Sequence, residues 1–171
     1  LDGSAFTAQR GYWGPGSGLP LDHIMLPFDV RFKKGNPWPI DLPPGGRTPE
    51  YEAVWKETGR QIRAHLDADP RWRAVQKIAF LNGLDESYDA ESNERLIYYG
   101  RLLHEAMGRG WFKYRIDGGY SWEAMEKLSS EVELWVCHTV SWDADKMEHF
   151  RKRGVESWFY GPMIYEQRRN S

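Results

Sequence analysis

The sequence predicts an α/β protein built from parallel βα units. Three observations predict it. From residue 75 onward, short apolar runs alternate with amphipathic segments joined by brief turns. The runs are near-continuous in apolar residues, the pattern of strands covered on both faces. Polar and aromatic residues gather at the carboxyl end of each run: Asp85 and Glu86, Asp117 and Tyr120, His138 and Trp142, and Tyr160. Decoration of one end of a parallel sheet suits the active face of a (β/α)8 TIM barrel.

Residues 1–22 are rich in Gly, Pro and Ser and read as a loop. Their glycines are not followed by Gly-Lys-Ser/Thr and no strand precedes them, which excludes a phosphate loop. The first strand is predicted at about 24–30, with Pro27 arguing for an edge position or a strand end. Residues 33–49 form a long Pro- and Gly-rich loop in which Trp38 either pins the loop or touches substrate. Thr48 caps a helix with Pro49 at its first position. Tyr51, Val54, Trp55, Thr58, Ile62 and Leu66 recur at three- and four-residue steps to about Asp67, and Asp69-Pro70 stops the helix.

The central strand is predicted at 77–84 and ends in the adjacent carboxylates Asp85 and Glu86. A helix starts near Ser92, carries Leu96, Tyr99, Leu103 and Met107 on one side, and ends at Gly108 and Gly110. A strand at 111–117 follows, then a short helix capped by Ser121 and running to about Ser129. The remaining elements are a strand at 132–139, a helix at 144–153 ended by Gly154, and a strand at 157–162.

Five strands are too few for a closed barrel, which takes about 250 residues. The 171-residue chain is therefore expected to be a single domain over 1–171 that forms the C-terminal portion of a longer barrel, completed by a missing N-terminal part or a partner chain. A complete small α/β sheet protein is the alternative.

A net charge of -2 leaves no electrostatic footprint for nucleic acid or an anionic membrane, and no apolar run reaches the length of a membrane span. The single cysteine, Cys137, excludes an intrachain disulfide; it sits inside a predicted strand and reads as a buried, inert thiol. None of the five histidines makes a metal-ligand pair, so neither a catalytic metal nor another cofactor is expected. An aromatic content of 15%, part of it in polar loops, favours stacking on sugar rings.

Ordinary glycosidases place two carboxylates across the scissile bond, about 5–5.5 Å apart for retention and roughly 6.5–9.5 Å for inversion. Asp85 and Glu86 have Cα atoms only about 3.8 Å apart. Such a pair straddles a bond poorly. It suits substrate assistance, in which one acid protonates the leaving oxygen and its neighbour holds the attacking acetamide. Crowding raises one carboxylic pKa, expected here to keep Glu86 protonated. Tyr160 is a candidate hydroxyl donor to the acetamide, against a role as core tyrosine. Trp142 and Trp158 are candidate sugar platforms, and Trp158 alternates with Tyr160 on one strand face. Asp117, Tyr88 and His138 are candidates for binding sugar hydroxyls, against structural hydrogen bonding.

Three segments, Ile78-Ala-Phe-Leu-Asn-Gly-Leu-Asp-Glu86, Val132-Glu-Leu-Trp-Val136 and Glu156-Ser-Trp-Phe-Tyr-Gly-Pro-Met163, occur in an order and rough spacing that resembles the glycoside hydrolase family 123 catalytic domain and the related DUF4091-type barrel domains. The match spans roughly residues 75–163, and Ser87 stands where that family usually has Pro. The resemblance implies a (β/α)8 barrel that hydrolyses terminal β-linked N-acetylgalactosamine with the substrate's own acetamide as nucleophile. It implies that Asp85 orients and polarises the acetamide and that Glu86 is the general acid/base. It also favours an extracellular or periplasmic setting. The expected partner is an N-acetylhexosamine-containing glycan. The alternatives are a glycosidase of other sugar or endo specificity, with loop 33–49 shaping an open groove, and a carbohydrate-binding pseudo-enzyme.

Overall fold

The computed structural model describes residues 2–14, 16–30 and 47–161. The elements are β1 (His23–Asp29), α1 (Pro49–Asp67), β2 (Gln76–Asn82), α2 (Ala90–Met107), β3 (Phe112–Asp117), α3 (Trp122–Leu128), β4 (Leu134–His138), α4 (Ala144–Arg151) and β5 (Glu156–Tyr160). The five strands form one parallel sheet in the order β1-β2-β3-β4-β5. The mixed α/β architecture of parallel βα units is thus the one predicted. β1 is an edge strand, as Pro27 demands. Trp38 and the predicted continuation of the last strand past 161 lie outside the described residues.

The helix starts follow side-chain capping. Thr48, Asp89, Ser121 and Asp143 each accept a hydrogen bond from a backbone N–H of the first turn. α2, expected to start near Ser92, starts at Ala90 with Asp89 as its cap, which takes both the Ser92 N–H at 2.8 Å and the Ser92 hydroxyl at 2.7 Å.

The helices cover only one face of the sheet. The main core joins Ala79, Leu81, Phe112, Tyr114, Ile116, Trp135 and Cys137 to helix residues such as Trp55, Tyr99, Leu103, Met125 and Phe150. The expectation that both strand faces are covered is therefore corrected among the described residues. β3 shows it most plainly: buried Phe112, Tyr114 and Ile116 alternate with half-buried Lys113, Arg115 and Asp117. On the uncovered face a small cluster of Ile78, Leu134 and Val136 packs only with Trp158 and Tyr160.

That second face is concave. In a flat sheet the two edge strands would lie about 19 Å apart. Yet His23 on β1 and Trp158 on β5 meet edge to face with ring centroids 5.7 Å apart. Arg115 of β3 likewise reaches across β2 to the Met25 sulfur at 3.4 Å.

Two glycines let the layers approach. A Cβ on Gly59 of α1 would stand 2.7 Å from Ala106 Cβ of α2. One on Gly100 of α2 would stand 2.7 Å from the Tyr114 ring and 2.9 Å from Glu131 Cβ. The Tyr114 ring cannot swing aside, because it is fully buried and its hydroxyl donates to the Leu96 carbonyl at 3.0 Å. Gly100→Ala therefore lowers stability by about 1–2 kcal/mol, since overpacking outweighs the helix preference of alanine. A lowered urea midpoint supports this packing account and a raised one refutes it.

Candidate active site

The carboxyl ends of the strands open into the loops that carry the predicted acids. After β2, Gly83 turns the chain with φ +91°, and Leu84 stays buried. Asp85 and Glu86 follow on the exposed side of the turn. Glu86 has φ +48°, the only non-glycine positive φ among the described residues. The left-handed region costs an ordinary L-residue about 1–2 kcal/mol, and such strain gathers at functional sites. The Glu86 carboxylate has no hydrogen bond or ion pair among the described residues.

On β3, Arg115 and Asp117 lie two residues apart and so share the concave face. The Arg115 fork grips Asp117, Nε to Oδ1 at 2.6 Å and Nη2 to Oδ2 at 2.5 Å. The same guanidinium lies over the Phe80 ring, 5.2 Å from its centroid. Arg115 is thus committed to Asp117, and Asp85 has no ion pair of its own among the described residues. Asp85 is exposed as a residue, but its carboxyl is partly desolvated. Burial is the main force pushing its pKa up, followed by the negative charges of Asp117 and Glu86; Arg115 pulls the other way. Crowding of the carboxylates thus adds to the upward push on Asp85.

Two tyrosines flank these acids. The Tyr88 hydroxyl accepts the Gly119 N–H at 3.2 Å, and its ring meets Tyr120 edge-on at 5.1 Å. Gly118 is required here twice over: its φ is +121°, and a Cβ would fall 2.5 Å from the Tyr88 hydroxyl. Tyr120 is buried, with its hydroxyl beside the Ser87 backbone. Burial, then the neighbouring Tyr88, Asp117 and Asp85, pushes that phenol well above its usual range.

The other half of the concave face belongs to β4 and β5. His138 Nδ1 accepts the Val140 N–H at 3.3 Å, leaving Nε2 as the ring's donor. The His138 ring meets Tyr160 edge-on at 5.1 Å, and the Tyr160 hydroxyl is buried without a partner among the described residues. Trp158 donates from Nε1 to Glu156 at 2.7 Å. The register pairs Asp117 with Val136 and Val136 with Trp158, so Asp117 and Trp158 stand in one row on either side of Val136, roughly 10 Å apart by strand spacing. His138 and Tyr160 form the next row towards the carboxyl edge.

The structure therefore groups Asp85, Glu86, Asp117 and Tyr88 around β2 and β3, and His138, Trp158 and Tyr160 on β4 and β5. Trp142 is not with them. It packs edge-on against Phe159 at 5.5 Å, and Phe159 alternates with Trp158 and Tyr160 onto the opposite face.

The expectation that only one end of the sheet is decorated is also corrected. The amino end of the concave face carries the Lys113–Glu156 ion pair and the His23–Trp158 contact. Arg115 and Tyr120 were not singled out as site residues from sequence. The signal for Arg115 was the Arg-x-Asp spacing on one strand face.

Cys137 is buried, and burial pushes its thiol pKa up, away from a nucleophile's range. Among the described residues no three His, Cys, Asp or Glu side chains gather as metal ligands, and no helix is long and apolar enough to cross a membrane. No family model, curated protein or solved structure matches the chain. The likeness to the glycosidase family rests on the ordered motifs alone.

Proposed function

We propose that the chain is part of a (β/α)8 glycoside hydrolase that removes terminal β-linked N-acetylhexosamine with retention, by substrate assistance. The observation that carries this reading is the unpaired, partly desolvated Asp85 carboxyl beside the strained, unpaired Glu86 at the carboxyl end of a parallel sheet. A desolvated carboxylate without a cation is a strong acceptor seeking a donor. The N–H of a substrate acetamide supplies one.

In the proposed reaction the acetamide oxygen attacks C1 while Glu86 gives its proton to the departing glycosidic oxygen. The C1–O bond breaks and a cyclic oxazoline forms, its nitrogen held by Asp85. Water then attacks C1, Glu86 takes the water's proton, the ring reopens, and the β-anomer is released. His138 Nε2 and the Tyr160 hydroxyl supply hydrogen bonds from the far row.

The test is turnover of aryl β-N-acetylgalactosaminide and aryl β-N-acetylglucosaminide, with aryl β-galactoside as control. The reading expects hydrolysis of one or both acetamido sugars and none of the control. Comparable hydrolysis of the control would exclude substrate assistance. Binding of N-acetylhexosamine without turnover would replace this reading by a carbohydrate-binding one.

A further inference from the structure

We infer that the amino end of the sheet, opposite Asp85, carries a binding site for the phosphate or carboxylate group of a small ligand. A surface depression of about 360 Å³ lies there, lined by Asp67, Arg73, Gln76, Lys77, Gly110 and Trp111. Lys77 is 5% exposed, and its ammonium donates to the Trp72 carbonyl. An ammonium has three donors, and among the described residues no second acceptor and no ion pair serves the others. Water can take the spare hydrogens, and among the described residues the carboxylate whose charge reaches Lys77 is that of Asp67.

That one carboxylate is shared between Lys77 and Arg63. Asp67 also lines the depression, but its two oxygens are taken, Oδ1 by Trp111 Nε1 at 2.8 Å and Oδ2 by Arg63 Nε at 3.2 Å. Arg73 lines the same depression, and its guanidinium has no side-chain partner among the described residues. Lys77 and Arg73 thus line a depression whose one carboxylate, Asp67, is also ion-paired with Arg63. The Trp111 ring, with Lys77 Nζ 5.4 Å from its centroid, forms an apolar wall for the body of the ligand. An oxyanion accepts from Lys77 and Arg73 together, and the guanidinium fork suits its geometry.

The experiment is calorimetric titration of the whole chain with inorganic phosphate and, separately, acetate, with thermal melts at constant ionic strength against chloride. The inference expects saturable binding of one oxyanion per chain and a melting temperature that rises with its concentration. The tighter of the two probes assigns the head group. Lys77→Met keeps the aliphatic stem, melts at or above the wild-type temperature, and weakens oxyanion binding at least tenfold. Arg73→Gln, at an exposed position, weakens it severalfold without touching the buried layer. Equal binding by wild type and Lys77→Met, or a melting shift that chloride reproduces, overturns the site.

Discussion

Glu86→Gln loses about 100- to 10,000-fold in kcat on aryl β-N-acetylhexosaminides while the protein stays folded. The glutamine keeps the shape and exposure of the side chain but can neither donate nor take the proton. In the proposed mechanism Glu86 protonates the leaving oxygen, so the expected loss is steeper for poorly acidic leaving groups. A merely structural residue would lower all substrates alike. Glu86 also occupies a left-handed backbone position that glycine adopts freely. Glu86→Gly therefore abolishes activity while raising stability by up to about 1 kcal/mol. A gain in stability together with a loss of turnover is the signature of strain kept for function. Unchanged hydrolysis in Glu86→Gln removes the residue from the mechanism.

Asp85→Asn is expected to cost about 100- to 1,000-fold in kcat, the scale of losing one preorganised partner of a charged intermediate. The same variant tests the electrostatics. Burial, with Asp117 and Glu86, raises the Asp85 pKa in the folded state. Between its ordinary value and that raised value, the folded chain binds more protons than the unfolded one. Asp85 therefore subtracts stability above this window, and the penalty disappears as pH falls through it. Asp85→Asn is more stable than wild type at neutral pH, and the two melting curves converge in acid. The acid limb of the wild-type kcat/KM profile lies above the usual aspartate range and is lost in the variant. An Asp85→Asn protein less stable than wild type at neutral pH would contradict the assigned cause.

The strands and helices were legible because local chemistry agreed with the fold. Thr48 and Ser121 announced helix starts, and Pro27 announced an edge strand. The start of α2 fell within two residues of the expected one, and the structure adds its cap, Asp89, which accepts from both the backbone and the hydroxyl of Ser92. Strand coverage was misread at β3. The Lys113, Arg115 and Asp117 alternation was in the sequence, but aromatic Trp111, Phe112 and Tyr114 masked its period of two. The site was legible in part. Asp85 and Glu86 declared themselves by position at a strand end. The Arg115–Asp117 fork did not, because it depends on side chains meeting on a face whose orientation only the sheet reveals. Trp142 shows the converse error: its closeness in sequence to His138 suggested one cleft, but its ring lies with Phe159 on the other side of the sheet.

The most direct test of substrate assistance is inhibition by an N-acetylhexosamine-derived thiazoline, a stable mimic of the cyclic intermediate. Competitive inhibition of wild type, weakened at least tenfold in Asp85→Asn, is the predicted result. Turnover of the aryl N-acetylhexosaminide undisturbed by saturating thiazoline would contradict it.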